Sequence, residues 1–328
     1  MQIKIWINES WQRFDRFLRK YFKKTPEIKL NEIYSWIRKW SIKINNKKAS
    51  ENYILELWDS ISFEIDKFEQ KNPLDLMRDK EAKKVDIDIK EIKKQIIRED
   101  ENRIFRDKPA GIVSQPWEKH NNDLSLVDIL QQYVWVQSDT FKPAFCFRLD
   151  KDTSWIIVWA KNYEALKYLN ELIKTRKTQK KYITIVRERT PDKMEIKENL
   201  LTRFDDRVWK SLTIVDKTWS SAQTIVQTIK SRKDLELWEI SLLEVKILTG
   251  RMHQIRVHLA NKGFPVLWDI LYGDKRLNTI LSKKHHITRQ LLHSYEYGFF
   301  DKFTWNTLKV KSHIPDDFKK IFKDTINI

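Results

Sequence analysis

Five glycines in 328 residues constrain this chain more than any other feature it has. Glycine enters left-handed backbone without steric cost, so tight turns, helix ends and close backbone approaches draw on it. A globular chain of this length carries about 23, at roughly 7%. The same chain holds 14 tryptophans, and the two residue types together nearly reach the glycine expectation. The stretch "PVLWDILYGD", Pro265 to Asp274, shows the conflict locally. It reads as an apolar strand feeding a tight turn, with Trp268 where the turn favours glycine. Many of the tryptophans are therefore expected to stand where the working protein has glycine.

The formal charge of +17 calls for a polyanionic partner, because a surplus of one sign is costly to hold together alone. Nucleic acid is the first candidate. There is no run of 18 apolar residues and no apolar signal-peptide core at the N-terminus, so the chain is expected to stay in the cytoplasm, off the membrane and as a monomer. A single cysteine, Cys146, excludes an internal disulfide, fits a reducing compartment and reads as a small core hydrophobe. The seven histidines form no CxxC or HExxH pattern, so no metal site is expected.

Periodicity divides the chain into three parts and predicts an α+β protein. In the first, residues 8–64, Phe14, Phe17, Leu18, Tyr21 and Phe22 share one helical face, and Leu30, Ile33, Tyr34 and Ile37 share another. "SIKINN" alternates as a strand, and "YILELWDSISF" reads as a strand pair around a turn. Arg13, Arg16, Arg38, Lys39 and Lys43 belong to a basic set on this unit, a phosphate-tracking face if they act together and solvated charges if they do not. Residues 65–103 are charge-rich and without aromatics beyond Phe68, which suits a connector. Residues 104–320 mix short strands with helices and form the larger domain.

Two segments of that domain could carry chemistry. "FRLDKDTSW" sets Arg148 and Asp150 beside the buried-strand run "IIVWA". A carboxylate at the mouth of a buried strand sits in lowered dielectric and becomes a useful nucleophile or base if a cation keeps it ionised. Alone, such a cluster is an ordinary turn. "LLEVKILTGRMHQIRVHLANKG" reads as a strand, a turn and a helix from about Arg251 to Asn261, ended by Gly263. The expected helix puts His253 and Arg256 on one face, and Arg251 and Gln254 on a neighbouring one. Four donors at a strand-to-helix turn suit anion binding, or else a solvated face.

Together with "DKPAGIVSQPW", "KKYITIV" and "RQLLHS", these segments resemble the pseudouridine synthases of the RluA type, in the family's order over about residues 104–315. The N-terminal unit resembles the alpha-L RNA-binding module that often precedes that domain. The resemblance implies a mixed, mainly antiparallel sheet flanked by helices, and an enzyme that isomerises uridine in structured RNA without cofactor or metal. Ribosomal RNA of the large subunit is the first substrate expected, with tRNA as the alternative. A non-catalytic ribosome-assembly factor is the competing class. By the same resemblance Asp150 is the nucleophile, Arg256 its partner, Tyr182 the ring against the target base with a possible share in proton removal, and Arg148 the side chain that enters the RNA stack. Arg251, His253 and Gln254 complete the expected RNA contacts.

The departures from the family run one way. Phe147 stands where a histidine is usual. Trp40, Trp58, Trp117, Trp155, Trp219 and Trp268 stand where glycine is usual, and Trp11, Trp238 and Trp305 are expected to do so too. One cause accounts for all of them: UGA codons that the source organism reads as glycine, rendered here as tryptophan.

Overall fold

A computed structural model describes residues 2–25, 28–65, 89–108, 110–111, 126–134, 140–141, 143–146, 150, 152–205, 210–234 and 238–322. The N-terminal unit sets α1 (Phe14–Tyr21) and α2 (Leu30–Arg38) on a three-stranded sheet of β1 (Gln2–Lys4), β3 (Ser60–Phe63) and β2 (Ile42–Ile44), in that order. Phe14, Phe17, Leu18, Ile33 and Ile37 point into one core with Ile42, Ile44 and Ile61, as their spacing requires. Two expectations change here. The unit starts at Gln2 rather than at residue 8, and only the second half of "YILELWDSISF" is a strand, its first half touching Arg13 through a single bridge at Ile54.

The larger unit is one 11-stranded sheet. Its elements are α3 (Ile89–Lys94), β4 (Ile96–Glu99), β5 (Arg103–Lys108), α4 (Leu126–Val134), β6 (Ala144–Phe145), β7 (Ser154–Ala160), α5 (Tyr163–Lys174), β8 (Thr178–Arg187), β9 (Lys193–Asp205), β10 (Lys210–Val215), β11 (Ser220–Asp234), β12 (Trp238–Ile247), α6 (Gln254–Asn261), α7 (Lys275–His285), β13 (Leu292–Asp301), β14 (Asn306–Lys311) and α8 (Asp316–Ile321). The main path runs β10-β9-β11-β12-β8-β13-β7-β5-β4. Among the described residues only β13 with β7 is parallel. Because β4 pairs with β5, the sheet begins at Ile96, inside the stretch read as a connector; residues 66–88 of that stretch lie outside the described residues. Among the described residues no helix is long and apolar enough to cross a membrane.

Alternation along the central strands decides where the site forms. On β8, Ile183 and Ile185 face α7 and α8, whereas Tyr182 and Val186 face α6 with Leu243 and Val245 of β12, as a period of two demands. Helix α6 is buried from Gln254 to Leu259, so its polar side chains must find partners inside the protein. Gln12 and Lys20 join the two units, the first donating to the Thr140 hydroxyl at 3.4 Å and the second 5.1 Å over the Tyr163 ring.

The glycine deficit has a backbone signature. Trp11, Trp40, Trp58, Trp238, Trp268 and Trp305 take φ of 67°, 60°, 74°, 67°, 59° and 56°. They are half of the twelve described non-glycine residues with positive φ. Trp40 shows the local logic. It follows the last residues of α2, with its N–H on the Ile37 carbonyl at 3.1 Å and the Ser41 N–H on the Trp36 carbonyl at 3.0 Å, the paired bonds of a helix end that glycine usually closes. Trp219 is absent from this set and Trp155 lies in the extended backbone of β7, so neither carries this signature; Trp117 lies outside the described residues.

A left-handed conformation costs a side-chain-bearing residue about 1–2 kcal/mol, and glycine's extra freedom in the unfolded chain returns up to about 1 kcal/mol of that. Trp11, Trp40, Trp58, Trp238 and Trp305 are all exposed, so their indoles contribute little burial to offset the strain. Replacing these five by glycine is expected to stabilise the protein by about 0.5–1 kcal/mol each in denaturant unfolding, and the gene is expected to carry UGA at these positions. Lower stability, or UGG codons, would refute the glycine reading.

Candidate active site

Beyond β12 the chain turns through Thr249 and reaches His253, which takes φ 53° as the residue before α6. The helix thus starts at Gln254, three residues later than the sequence pattern predicts. Arg251 and His253 lie in the turn, not on helical faces. Gln254 is buried, and its amide is spent on the fold. It donates to the Gln223 carbonyl and the Thr224 hydroxyl, both at 3.0 Å, and accepts from the Thr249 hydroxyl at 2.8 Å and the Arg251 N–H at 3.0 Å. This fastens α6 to β11 and leaves no group over for RNA. Arg251 donates to the Ser221 carbonyl at 3.3 Å and is otherwise exposed.

Arg256 sits one half-turn further, and its guanidinium divides between two carboxylates. Nε and Nη2 donate to the two oxygens of Asp269 at 2.6 and 2.8 Å. Nη1 donates to Asp150 at 3.1 Å. Asp269 is fully buried and also accepts from the N–H groups of Leu271 and Tyr272 at 2.9 and 3.0 Å. The Tyr272 ring lies 5.2 Å from the guanidinium, close enough for a cation–π contact. Its hydroxyl accepts from the Thr213 N–H at 2.9 Å and meets His253 Nδ1 at 2.8 Å. The other nitrogen of His253 is 3.9 Å from Asp150.

Asp150 is held from the chain that enters β7. Its carbonyl accepts from the Thr153 N–H at 3.3 Å. Thr153 is in turn gripped by Lys108 Nζ, 3.2 Å from its carbonyl, and by the Gln290 amide, 3.2 Å from its hydroxyl. Ser154 bonds His293 at 2.8 Å. Asp150 keeps 25% of its side chain exposed, against 6% for Arg256 and 0% for Asp269, so it is the member of the set that meets solvent.

The charges follow from this packing. Burial works against the Arg256 charge, but the bonds and charge of Asp269, and then of Asp150, outweigh it and raise its pKa. Burial likewise opposes the Asp269 anion, and Arg256 with the two N–H donors lowers its pKa all the same. Burial brings Lys108 down to about 8, opposed by Asp152 and Asp150. Tyr182 is buried on β8. Burial and then the Asp150 charge push its phenol well above the ordinary value. It therefore stays protonated at neutral pH and is in the wrong state to remove a proton.

The structure thus gathers Asp150, Arg256, His253 and Tyr182 in one place. Arg148 lies outside the described residues. Arg13, Arg16, Arg38, Lys39 and Lys43 stay on the N-terminal unit. Arg13 pairs there with Asp15 at 2.9 Å and Lys43 with Glu64 at 2.6 Å, while Arg16, Arg38 and Lys39 are exposed. Sequence reasoning missed Asp269, Tyr272 and Lys108. The first two lie in "PVLWDILYGD", where an acid and a tyrosine three apart before a glycine signal a tight turn with inward polar groups.

A carboxylate fixed by a buried guanidinium beside a covered tyrosine, on a mainly antiparallel sheet, defines a site for attack on, or proton removal from, a substrate brought to it. The chain belongs to the RNA pseudouridylate synthase family, whose model matches residues 102–261. It is 30% identical over 307 residues to an uncharacterised RNA pseudouridine synthase of Mycoplasma genitalium, covering 88% of this chain and 85% of that one. It is 28% identical over 325 residues to the ribosomal large subunit pseudouridine synthase C of Buchnera aphidicola subsp. Baizongia pistaciae, covering 97% and 95%. The fold matches human RNA pseudouridylate synthase domain containing 4 with a TM-score of 0.56 and 22% identity, over 72% of this chain and 94% of that one. This protein is an RNA pseudouridine synthase.

His293 gives the site a pH limit. Burial, then Arg289, brings its pKa down to about 3, so the folded protein keeps the ring neutral while the unfolded chain protonates it below about 6.5. Its share of stability is present above pH 6.5 and is lost as pH falls toward 3. Between pH 6.5 and 5.5, unfolding titrations are expected to show about 1 kcal/mol more loss in the wild type than in His293→Asn. Parallel losses would contradict this.

Proposed function

We propose that the protein converts uridines of large-subunit ribosomal RNA to pseudouridine, with Asp150 as the reacting carboxylate. The reaction breaks the bond from uracil N1 to the sugar, turns the base over, and joins the sugar to carbon 5. Carbon 5 gives up its proton and N1 takes one, so nothing is gained or lost overall. Asp150 can begin this by attacking the sugar or by removing a sugar proton; either route needs it ionised and aimed, and the 3.1 Å contact with Arg256 supports both. That contact is the observation that carries the assignment.

The target base has to leave the RNA stack to reach Asp150. Arg148 takes the vacated place in this reading, by the resemblance of "RLD". The resemblance of "KKYITIV" assigns Tyr182 as the neutral aromatic wall against the base. His253, beside Asp150, and the exposed Arg251 contact the flanking phosphates. On the N-terminal unit Arg16, Arg38 and Lys39 hold the RNA backbone, with Arg13 and Lys43 shared between RNA and their carboxylate partners. The substrate class rests on relatives named for the large ribosomal subunit, which this chain matches nearly end to end, and a tRNA substrate is the alternative.

Incubation with large-subunit ribosomal RNA and, separately, with unmodified tRNA, followed by pseudouridine mapping, tests the reading. New pseudouridine at discrete ribosomal positions is expected. Modification of tRNA alone would overturn the substrate assignment.

A further inference from the structure

The loop from Val266 to Asp274 has no part in the reading above, yet its geometry converges on one side chain. Asp269 is fully buried; its Oδ1 accepts from Arg256 Nη2 and from the N–H groups of Leu271 and Tyr272, and its Oδ2 accepts from Arg256 Nε. Its carbonyl accepts from the Gly273 N–H at 3.1 Å and the Asn278 amide at 2.9 Å. A Cβ on Gly273 would lie 2.4 Å from that carbonyl oxygen, so only glycine lets the loop close this tightly. Trp268, just before, holds φ 59°. The whole turn is a socket that fixes one carboxylate.

We propose that Asp269 is a positioning residue for the reaction, acting through Arg256 on Asp150. An arginine offers two edges for paired contacts. Asp269 occupies the edge formed by Nε and Nη2, which fixes the plane and rotation of the guanidinium. The remaining nitrogen, Nη1, then meets Asp150 from one direction only. Tyr272 covers the face of the same group. Asp269 thereby sets the direction from which Nη1 reaches Asp150. A displacement on the order of 1 Å at such a contact is enough to cost about 10²-fold in rate.

The proposal rests on Asp150 being the reacting carboxylate, and the test keeps the two apart. Single-turnover release of tritium from carbon-5-labelled uridine in RNA is measured for the wild type, Asp269→Glu, Asp269→Asn and Asp150→Asn. Asp269→Glu keeps the charge pair and so the fold, but moves the guanidinium. It is expected to lower the maximal rate about 10²-fold with KM within about twofold. Asp269→Asn keeps the size of the side chain but gives up the charge pairing with Arg256, and in the folded protein it is likewise expected to lower the maximal rate with KM within about twofold. A wild-type maximal rate in Asp269→Glu, or in folded Asp269→Asn, overturns the positioning role. Activity retained in Asp150→Asn would instead remove the reading beneath it.

Discussion

One buried cation orders this structure. Arg256 lies under the central sheet, and an unpaired guanidinium there would cost several kcal/mol. Two carboxylates from distant parts of the chain answer it, 13 and 106 residues away in sequence. Bringing them together requires the sheet to put β7 and β12 on either side of β8 and β13, and requires α6 to lie on the Tyr182 face. It also requires the loop before α7 to turn sharply enough for Asp269 to reach in. The partly exposed carboxylate is the one at solvent, which is the arrangement a reacting group needs. The fully buried one is the anchor.

The same loop joins the site to the chain's composition. Trp268 precedes Asp269 in left-handed backbone, and its indole N–H is buried with no hydrogen-bond partner, a state that costs about 1–3 kcal/mol. Glycine there would remove the strain and the orphaned donor together, although it would also remove an indole packed on the neighbouring core. The exposed tryptophans at the other left-handed turns have no such compensation. Surface aromatics such as Trp58 beside Trp6 are thus a consequence of the residue rendered at 58 and not a built docking face.

Much of this was legible beforehand because it depends on period and order. The α1 and α2 faces and the strand that forms β12 follow from local patterns. Asp150 and Arg256 were reached through motif resemblance, and their 3.1 Å contact is a tertiary fact that no spacing contains. Asp269 escaped because a lone acid in a turn looks like a surface residue; only the loop's closure around it makes it internal. Helix α6 began late because Gln254, read as an RNA contact, serves as the staple that ends the turn. Strand β4 escaped because charge-rich sequence hides a short edge strand whose partner, β5, supplies the apolar residues.

The central claim is that isomerisation depends on the Asp150 carboxylate held at Arg256. The most direct measurement pairs RNA-binding affinity with pseudouridine yield for the glycine-restored protein and for its Asp150→Asn form. The account predicts equal binding by both and product from the first alone. Equal product from both would contradict it.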